Sequence, residues 1–106
     1  MPKYLLHVNY TAEGARGLKK DGGTQRRSAA QALAESLGGR LEEMYYALGD
    51  TDAYVIADMP DAASVAAVTL ALATSGAVTG RTTVLMTCEE MDQAARKSPS
   101  YRAPGQ

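Results

Sequence analysis

The sequence predicts an α+β fold of the ferredoxin-like type, in which a four-stranded antiparallel sheet carries two main helices on one face. Segments with the two-residue period of strands and segments with a helical period follow one another in the order βαββαβ. Right-handed crossovers in both strand–helix–strand units then bring the four strands into one sheet. The third strand is apolar on both faces, which indicates that the sheet is covered on both sides.

The first half of the chain predicts a strand, a short helix and a long helix. The strand YLLHVNY alternates, so that Leu5, His7 and Asn9 share one of its faces. Thr11 is expected to cap the short helix, which its two internal glycines weaken. Thr24 is expected to cap the long helix, whose apolar residues recur at helical spacing until a Gly-Gly pair stops it.

The second half predicts two strands around a turn, a helix, a fourth strand and a short last helix. RLEEMYYAL and AYVIADM are the second and third strands, and GDTD is the turn between them. Asp61 is expected to cap the next helix, and Gly80 to form a bulge in the fourth strand. Thr87 and Glu90 have the spacing of a capping box for the last helix, which should turn Met91 and two alanines inward.

Length and composition fit one globular domain, expected over residues 3–96, with a polar tail at 97–106. The 106 residues are 45% hydrophobic and 22% charged, and the net charge of −1 does not favour a nucleic-acid or membrane partner. Phe and Trp are absent, so the core has to be aliphatic and rich in alanine. The apolar run at the start is too short for a signal peptide and no segment approaches a membrane span, so we expect a cytoplasmic location.

The sequence predicts neither a metal nor a cofactor. One histidine and one cysteine do not form a ligand cluster, and no glycine-rich phosphate motif indicates a nucleotide. Cys88, in the first turn of the last helix, lies beside two glutamates without a basic partner, and we expect it to be inert.

The apolar third strand also predicts an assembly. The two main helices occupy one face of the sheet, and the tail is too polar to cover the other. A second copy of the chain is the simplest cover, with two sheets meeting face to face in a homodimer.

Three blocks of the sequence resemble the GYD domain family of small bacterial proteins. The blocks are VNYTAEGARGLK, LGDTDAYVIADMPD and SGAVTGRTTVLMTCEEM, and they occur in the family's order between Lys3 and Asp92. The family's Gly-x-Tyr-Asp or Gly-Tyr-Asp turn is matched at Gly49 and Asp52, whereas Thr51 stands where the tyrosine is expected. The resemblance implies the dimeric α+β barrel fold and a homodimer, and it implies no particular substrate.

The acids of that turn have a structural and a functional interpretation. Asp50 or Asp52 can accept backbone N–H bonds and so hold the turn. Alternatively, Asp52 points into a cleft as a general base, which requires a raised pKa and a nearby proton source. The sequence indicates neither of these, so the structural role is favoured.

A small-molecule pocket is the main functional hypothesis. His7 and Asn9 share a face of a central strand, and Tyr46, Tyr54 and Arg81 are candidates to line the same pocket. The strand register, on which the direction of each tyrosine depends, is not fixed by the sequence. The alternative is a histidine that is buried in the interior or an interface, with its hydrogen bonds satisfied there.

The segment KKDGGTQRR predicts an anion site at a helix start. Arg26 and Arg27 lie in the first turn, where the helix dipole disfavours cations, and a bound anion would offset this repulsion. The alternative is a solvated basic loop, in which the arginines pair with Asp21 or Glu13.

Two classes of function therefore remain open. The first is a protein that binds a small organic molecule, with cofactor-independent oxygenase or isomerase activity suggested by fold analogy alone. The second is an interaction or structural module without catalysis. RNA binding, which the βαββαβ order also permits, is not supported because the third strand lacks the aromatic and basic motif of RNA-recognition domains. A cavity lined by His7, Asn9 and a tyrosine would favour the first class.

Overall fold

The predicted ferredoxin-like α+β fold is confirmed, with one antiparallel sheet in the strand order β2-β3-β1-β4. The computed structural model describes residues 1–106. In chain order the elements are β1 (Lys3–Tyr10), α1 (Ala12–Asp21), α2 (Gly23–Ser36), β2 (Arg40–Tyr46), β3 (Ala53–Asp58), α3 (Ala62–Ser75), β4 (Val78–Leu85) and α4 (Cys88–Arg96).

Side-chain caps begin three of the helices as predicted. Thr11 caps α1, and the carboxylate of Asp61 caps α3 by accepting the backbone N–H of Ser64 at 2.8 Å. Thr87 and Glu90 form the capping box of α4 through two hydrogen bonds of 3.0 Å each. Each cap satisfies amide groups that have no partner inside the helix. No helix of the chain has the length and apolarity to cross a membrane.

The predicted cap of α2 is wrong. The helix begins at Gly23, and its N-cap is Gly22 at φ 84°, so Thr24 lies inside the first turn. The N–H of Gly22 closes α1 by donating to the Leu18 carbonyl at 2.8 Å. One glycine therefore ends one helix and begins the next, because only glycine adopts this backbone conformation without strain.

The predicted bulge at Gly80 is also wrong. β4 pairs with β1 residue for residue along its whole length, and Gly80 lies opposite Val8. The sheet's irregularity lies instead in β2, where the register shifts between Leu41 and Glu43 and leaves Glu42 as the extra residue. A bulge reverses the phase of the side chains that follow it, so it decides which β2 residues face the helices.

The helices cover only one face of the sheet. The strand residues buried on that face are Tyr4, Leu6, Val8, Leu41, Ala53, Val55, Ala57 and Val78. The opposite face, here called the open face, is not covered within the protomer. It carries Lys3, Leu5, His7, Asn9, Tyr45, Tyr54, Ile56, Asp58, Arg81 and Thr83.

The two edges of the sheet differ. The β2 edge contains the bulge and three charged residues, Arg40, Glu42 and Glu43. The β4 edge is a regular strand of eight residues whose only neighbour is β1.

The last helix does not pack inward on its own protomer. No residue of α4 is buried, and Met91 is 56% exposed, so the prediction that Met91 points inward is wrong. The polypeptide leaves β4 away from the core, and the molecule is correspondingly elongated at 57 × 32 × 24 Å. Residues 97–106 form neither helix nor strand.

Candidate functional site

Three of the predicted site residues meet on the open face. The register places His7 between Tyr54 of β3 and Arg81 of β4. The rings of His7 and Tyr54 pack edge to face, with centroids 5.3 Å apart and an interplanar angle of 66°. His7 Nε2 lies 3.1 Å from Thr83 Oγ1, a hydrogen-bond partner that the sequence did not indicate.

The second ring nitrogen of His7 has no partner. Nδ1 is buried and makes no hydrogen bond in the protomer. Leaving a buried donor or acceptor unsatisfied costs about 1–3 kcal/mol. The histidine thus has one nitrogen held by the sheet and one that is enclosed by the protomer without a partner.

The side chain of Asn9 is hydrogen-bonded to the backbone of the turn before β3. Its Nδ2 donates to the Asp50 carbonyl at 2.9 Å, and its Oδ1 accepts the N–H of Asp52 at 3.2 Å. Arg81 Nη2 donates to Oγ1 of the buried Thr51 at 3.4 Å. Asn9 and Arg81 therefore fix the turn to one end of the open face.

Asp52 accepts a backbone N–H, the structural role that the sequence favoured, but the donor lies on another strand rather than in the turn. Its Oδ2 accepts the backbone N–H of Tyr10 at 2.9 Å, across strands rather than within its own turn. The carboxylate thus satisfies an amide at the end of β1.

Tyr46 does not share a face with His7. It pairs with Ala53, points towards the helices, and donates its hydroxyl hydrogen to the Gly23 carbonyl at 3.0 Å. Tyr45 lies opposite Tyr54 and belongs to the open face instead. The physical reason is the bulge at Glu42, which reverses the alternation of β2 and which the sequence did not reveal.

A second candidate site lies on the helix side of the sheet. A cleft of about 110 Å³ separates α2 from α3 above the central strands. Arg26 is its one charged lining residue, and the others are hydrophobic. The others include Val8, Tyr10, Ala29, Ala30 and Val55. The absence of Phe and Trp was the signal for such a space, because the chain has few side chains large enough to fill it.

The two arginines of the predicted anion site lie in different environments. Arg26 lines the cleft and is half-buried, whereas Arg27 is exposed. Neither belongs to an ion pair, so the pairing with Asp21 or Glu13 does not occur. A shared anion site for both arginines at this helix start remains a prediction.

Tyr10 adds a hydroxyl to the cleft. Burial raises the pKa of Tyr10 to about 12, the nearby Tyr46 adds to the increase, and the charge of Arg26 acts in the opposite direction. The phenol is therefore protonated at neutral pH and can donate a hydrogen bond.

An ion-pair cluster holds the far end of the open face. Asp58 lies between Lys3 of β1, at 2.9 Å, and Arg40 of β2, at 2.7 Å, and Lys3 also pairs with Glu42. The hydrogen bond from Lys3 is the main cause of the lowered pKa of Asp58, and the bond from Arg40 adds to it. Because the folded state favours the ionised carboxylate, the cluster stabilises the protein above the ordinary pKa of an aspartate.

We expect Asp58→Asn to lower the free energy of unfolding by about 1–2 kcal/mol at neutral pH, a modest value because Arg40 is 64% exposed to screening solvent. The difference from the parent should disappear as the pH falls through the lowered pKa of Asp58, because the folded parent then loses the same charge. Urea unfolding of both proteins at neutral and acidic pH measures it. A difference that persists unchanged in acid would show that the charge is not responsible.

The fold and the open face define a small ferredoxin-like α+β domain with an uncovered sheet. A family model described as the GYD domain matches residues 4–95, and the chain belongs to that family. The comparisons with curated proteins and with solved structures found no match. Thr51, which replaces the expected tyrosine of the family's turn, is buried and accepts the hydrogen bond from Arg81.

Proposed function

We propose that the protein is a homodimer that joins two open faces and binds a small organic molecule beside His7. The observation that carries this proposal is the buried Nδ1 of His7, which has no partner in the protomer. Because this nitrogen is enclosed by the protomer, the ring would have to turn to bring it to the surface, where a polar group of the ligand would satisfy it. The edge-on ring of Tyr54 would contact the apolar part of the same ligand.

The open face also supports the pairing of two copies. It combines the apolar side chains of Leu5, Tyr45 and Ile56 with no covering helix. Tyr45 is 60% exposed in the protomer. Two-fold pairing would bury the same residues on both partners, since such an interface is self-complementary.

A module without catalysis is the second candidate, and one observation favours it. The side chains of Asn9 and Asp52 are both engaged in holding the turn, which leaves few free polar groups beside His7. Turnover without a cofactor would have to use His7 as the group that moves a proton. A dimer with no ligand response would support the module.

His7→Leu is expected to fold as well as the parent, because it fills a similar space and removes the unsatisfied nitrogen. The same variant should lose the response to any compound bound at the open face. A thermal-shift screen with small aromatic and carboxylate metabolites, followed by NMR shift mapping, measures this. Thr83→Val is the matched control, since it removes the partner of Nε2 and leaves Nδ1 in place. A compound that maps to the open face and binds His7→Leu as tightly as the parent would contradict the proposal.

A further inference from the structure

The cleft between α2 and α3 combines unfilled apolar space with an unpaired cation. Its walls are formed largely by aliphatic side chains, and the helix α2 contributes the small side chains of Ala29 and Ala30. Protein interiors are normally packed without voids of this size, and every such void forfeits contacts between its lining atoms. An apolar ligand in the cleft would therefore restore van der Waals contacts to the lining atoms.

At the polar end of the cleft, a positive charge has no acidic side chain to balance it. Arg26 lies in the first turn of α2, where the helix dipole disfavours a cation, and it has no acidic partner. Tyr10, in the same lining, carries a protonated hydroxyl. An anion at this end would receive hydrogen bonds from the guanidinium and from the phenol, and charge-assisted bonds of this kind are the stronger ones.

The size and the entrance of the cleft limit the occupant. A dry apolar cavity of about 150 Å³ holds benzene, so the 110 Å³ here, which is open at one end, admits at most a single ring or a short branched alkyl group. Arg26 is half-buried and Ala29 is exposed, so the cleft opens to solvent at its charged end. A ligand would enter with its apolar part first and leave its charged group at the rim.

From this arrangement we infer that the cleft is a binding site for small apolar monocarboxylates, with the carboxylate on Arg26 and Tyr10 and the apolar group over Val8 and Val55. The site lies on the opposite side of the sheet from His7 and within one protomer. It is therefore independent of the function proposed above.

Benzoate is a suitable probe, with benzyl alcohol and acetate as controls that lack the charge and the ring. In NMR titrations of the full chain, benzoate should bind saturably and shift resonances of α2, α3 and Tyr10. Benzyl alcohol should bind at least about tenfold more weakly, because it loses one charge-assisted hydrogen bond and a tenfold loss of affinity is the free energy of such a bond. Acetate, which lacks the ring, should give no saturable binding. Equal affinity for benzoate and benzyl alcohol would overturn the assignment of the charged end.

Two neighbouring arginines supply the matched variants. Arg26→Gln should weaken benzoate binding about tenfold, whereas Arg27→Gln, one residue along and exposed, should leave it unchanged. Ala30→Leu should fill the cleft and abolish benzoate binding, and the melting temperature of the variant should equal or exceed that of the parent. Equal losses in both arginine variants, or full binding in a folded Ala30→Leu, would overturn the site. The His7→Leu variant should bind benzoate as the parent does, which separates this result from the open-face proposal.

Discussion

Ile56→Asp is expected to give a folded monomer, whereas Val55→Asp is expected to unfold the protein. The two residues are adjacent on β3 and point to opposite faces of the sheet, Val55 into the core and Ile56 onto the open face. An unpaired charge in the core costs several kcal/mol, which is comparable to the whole stability of a small domain. On the open face the same charge meets water in a single protomer, so in the proposed dimer it would penalise the pairing of the protomers and not their fold.

Light scattering after size-exclusion chromatography, together with circular dichroism, distinguishes the two outcomes. The parent should be a dimer at micromolar concentration, and Ile56→Asp a monomer with the same secondary structure. A parent that is monomeric at high concentration would refute the face-to-face dimer, and so would an Ile56→Asp variant that remains a dimer. The variant also tests the cleft, because a site within one protomer should keep its affinity for benzoate in the monomer.

Gly14→Ala should lower the free energy of unfolding by about 2 kcal/mol or more, a loss typical of overpacking at a site that cannot relax. A Cβ at Gly14 would lie 1.9 Å from the carbonyl oxygen of Ala77. That carbonyl is fixed in place, because it also accepts the backbone N–H of Thr11 at 3.0 Å. Alanine therefore has to push apart the start of α1 and the segment that leads into β4.

Gly17→Ala, in the same helix, is the control. Nothing lies within 4 Å of the position of its Cβ. Removing a helical glycine should therefore raise the free energy of unfolding by up to about 1 kcal/mol through helix propensity alone. Chemical denaturation of both variants gives the comparison. Equal changes in the free energy of unfolding in the two variants would show that the close approach at Gly14 does not limit the stability.

Local signals made much of the fold predictable. The caps at Thr11, Asp61 and Thr87 depend on residues within one helical turn, and strand alternation correctly separated His7 from the core-facing residues of β1. The cap of α2 was misplaced because two neighbouring residues, Gly22 and Thr24, could each begin the helix. The errors in β2 arose where distant contacts decide the conformation. No local pattern marks Glu42 as a bulge, and this one extra residue places Tyr46 against the helices rather than beside His7.

The candidate sites show the same division. The strand order that sets β1 between β3 and β4 follows from the βαββαβ pattern, whereas the register that brings Tyr54 and Arg81 beside His7 does not. The bond from the amide of Tyr10 to Asp52 likewise joins segments 42 residues apart. The sequence showed that the core lacks Phe and Trp, but not where unfilled space would lie. Only the placement of α2 and α3 over the sheet shows that it opens beside Arg26.

The unequal edges of the sheet have a consequence for the protein's behaviour when it is damaged or crowded. The outer strand β2 resists further strand addition because its bulge and its charges disrupt a regular ladder. The outer strand β4 is regular over eight residues, and alternate residues point their backbone N–H and C=O groups away from β1, where no further strand bonds them. Val84 on this strand is 65% exposed. Uncontrolled growth of the sheet into aggregates would therefore proceed from one side only, and a charged or proline substitution on β4 is the change that would block it.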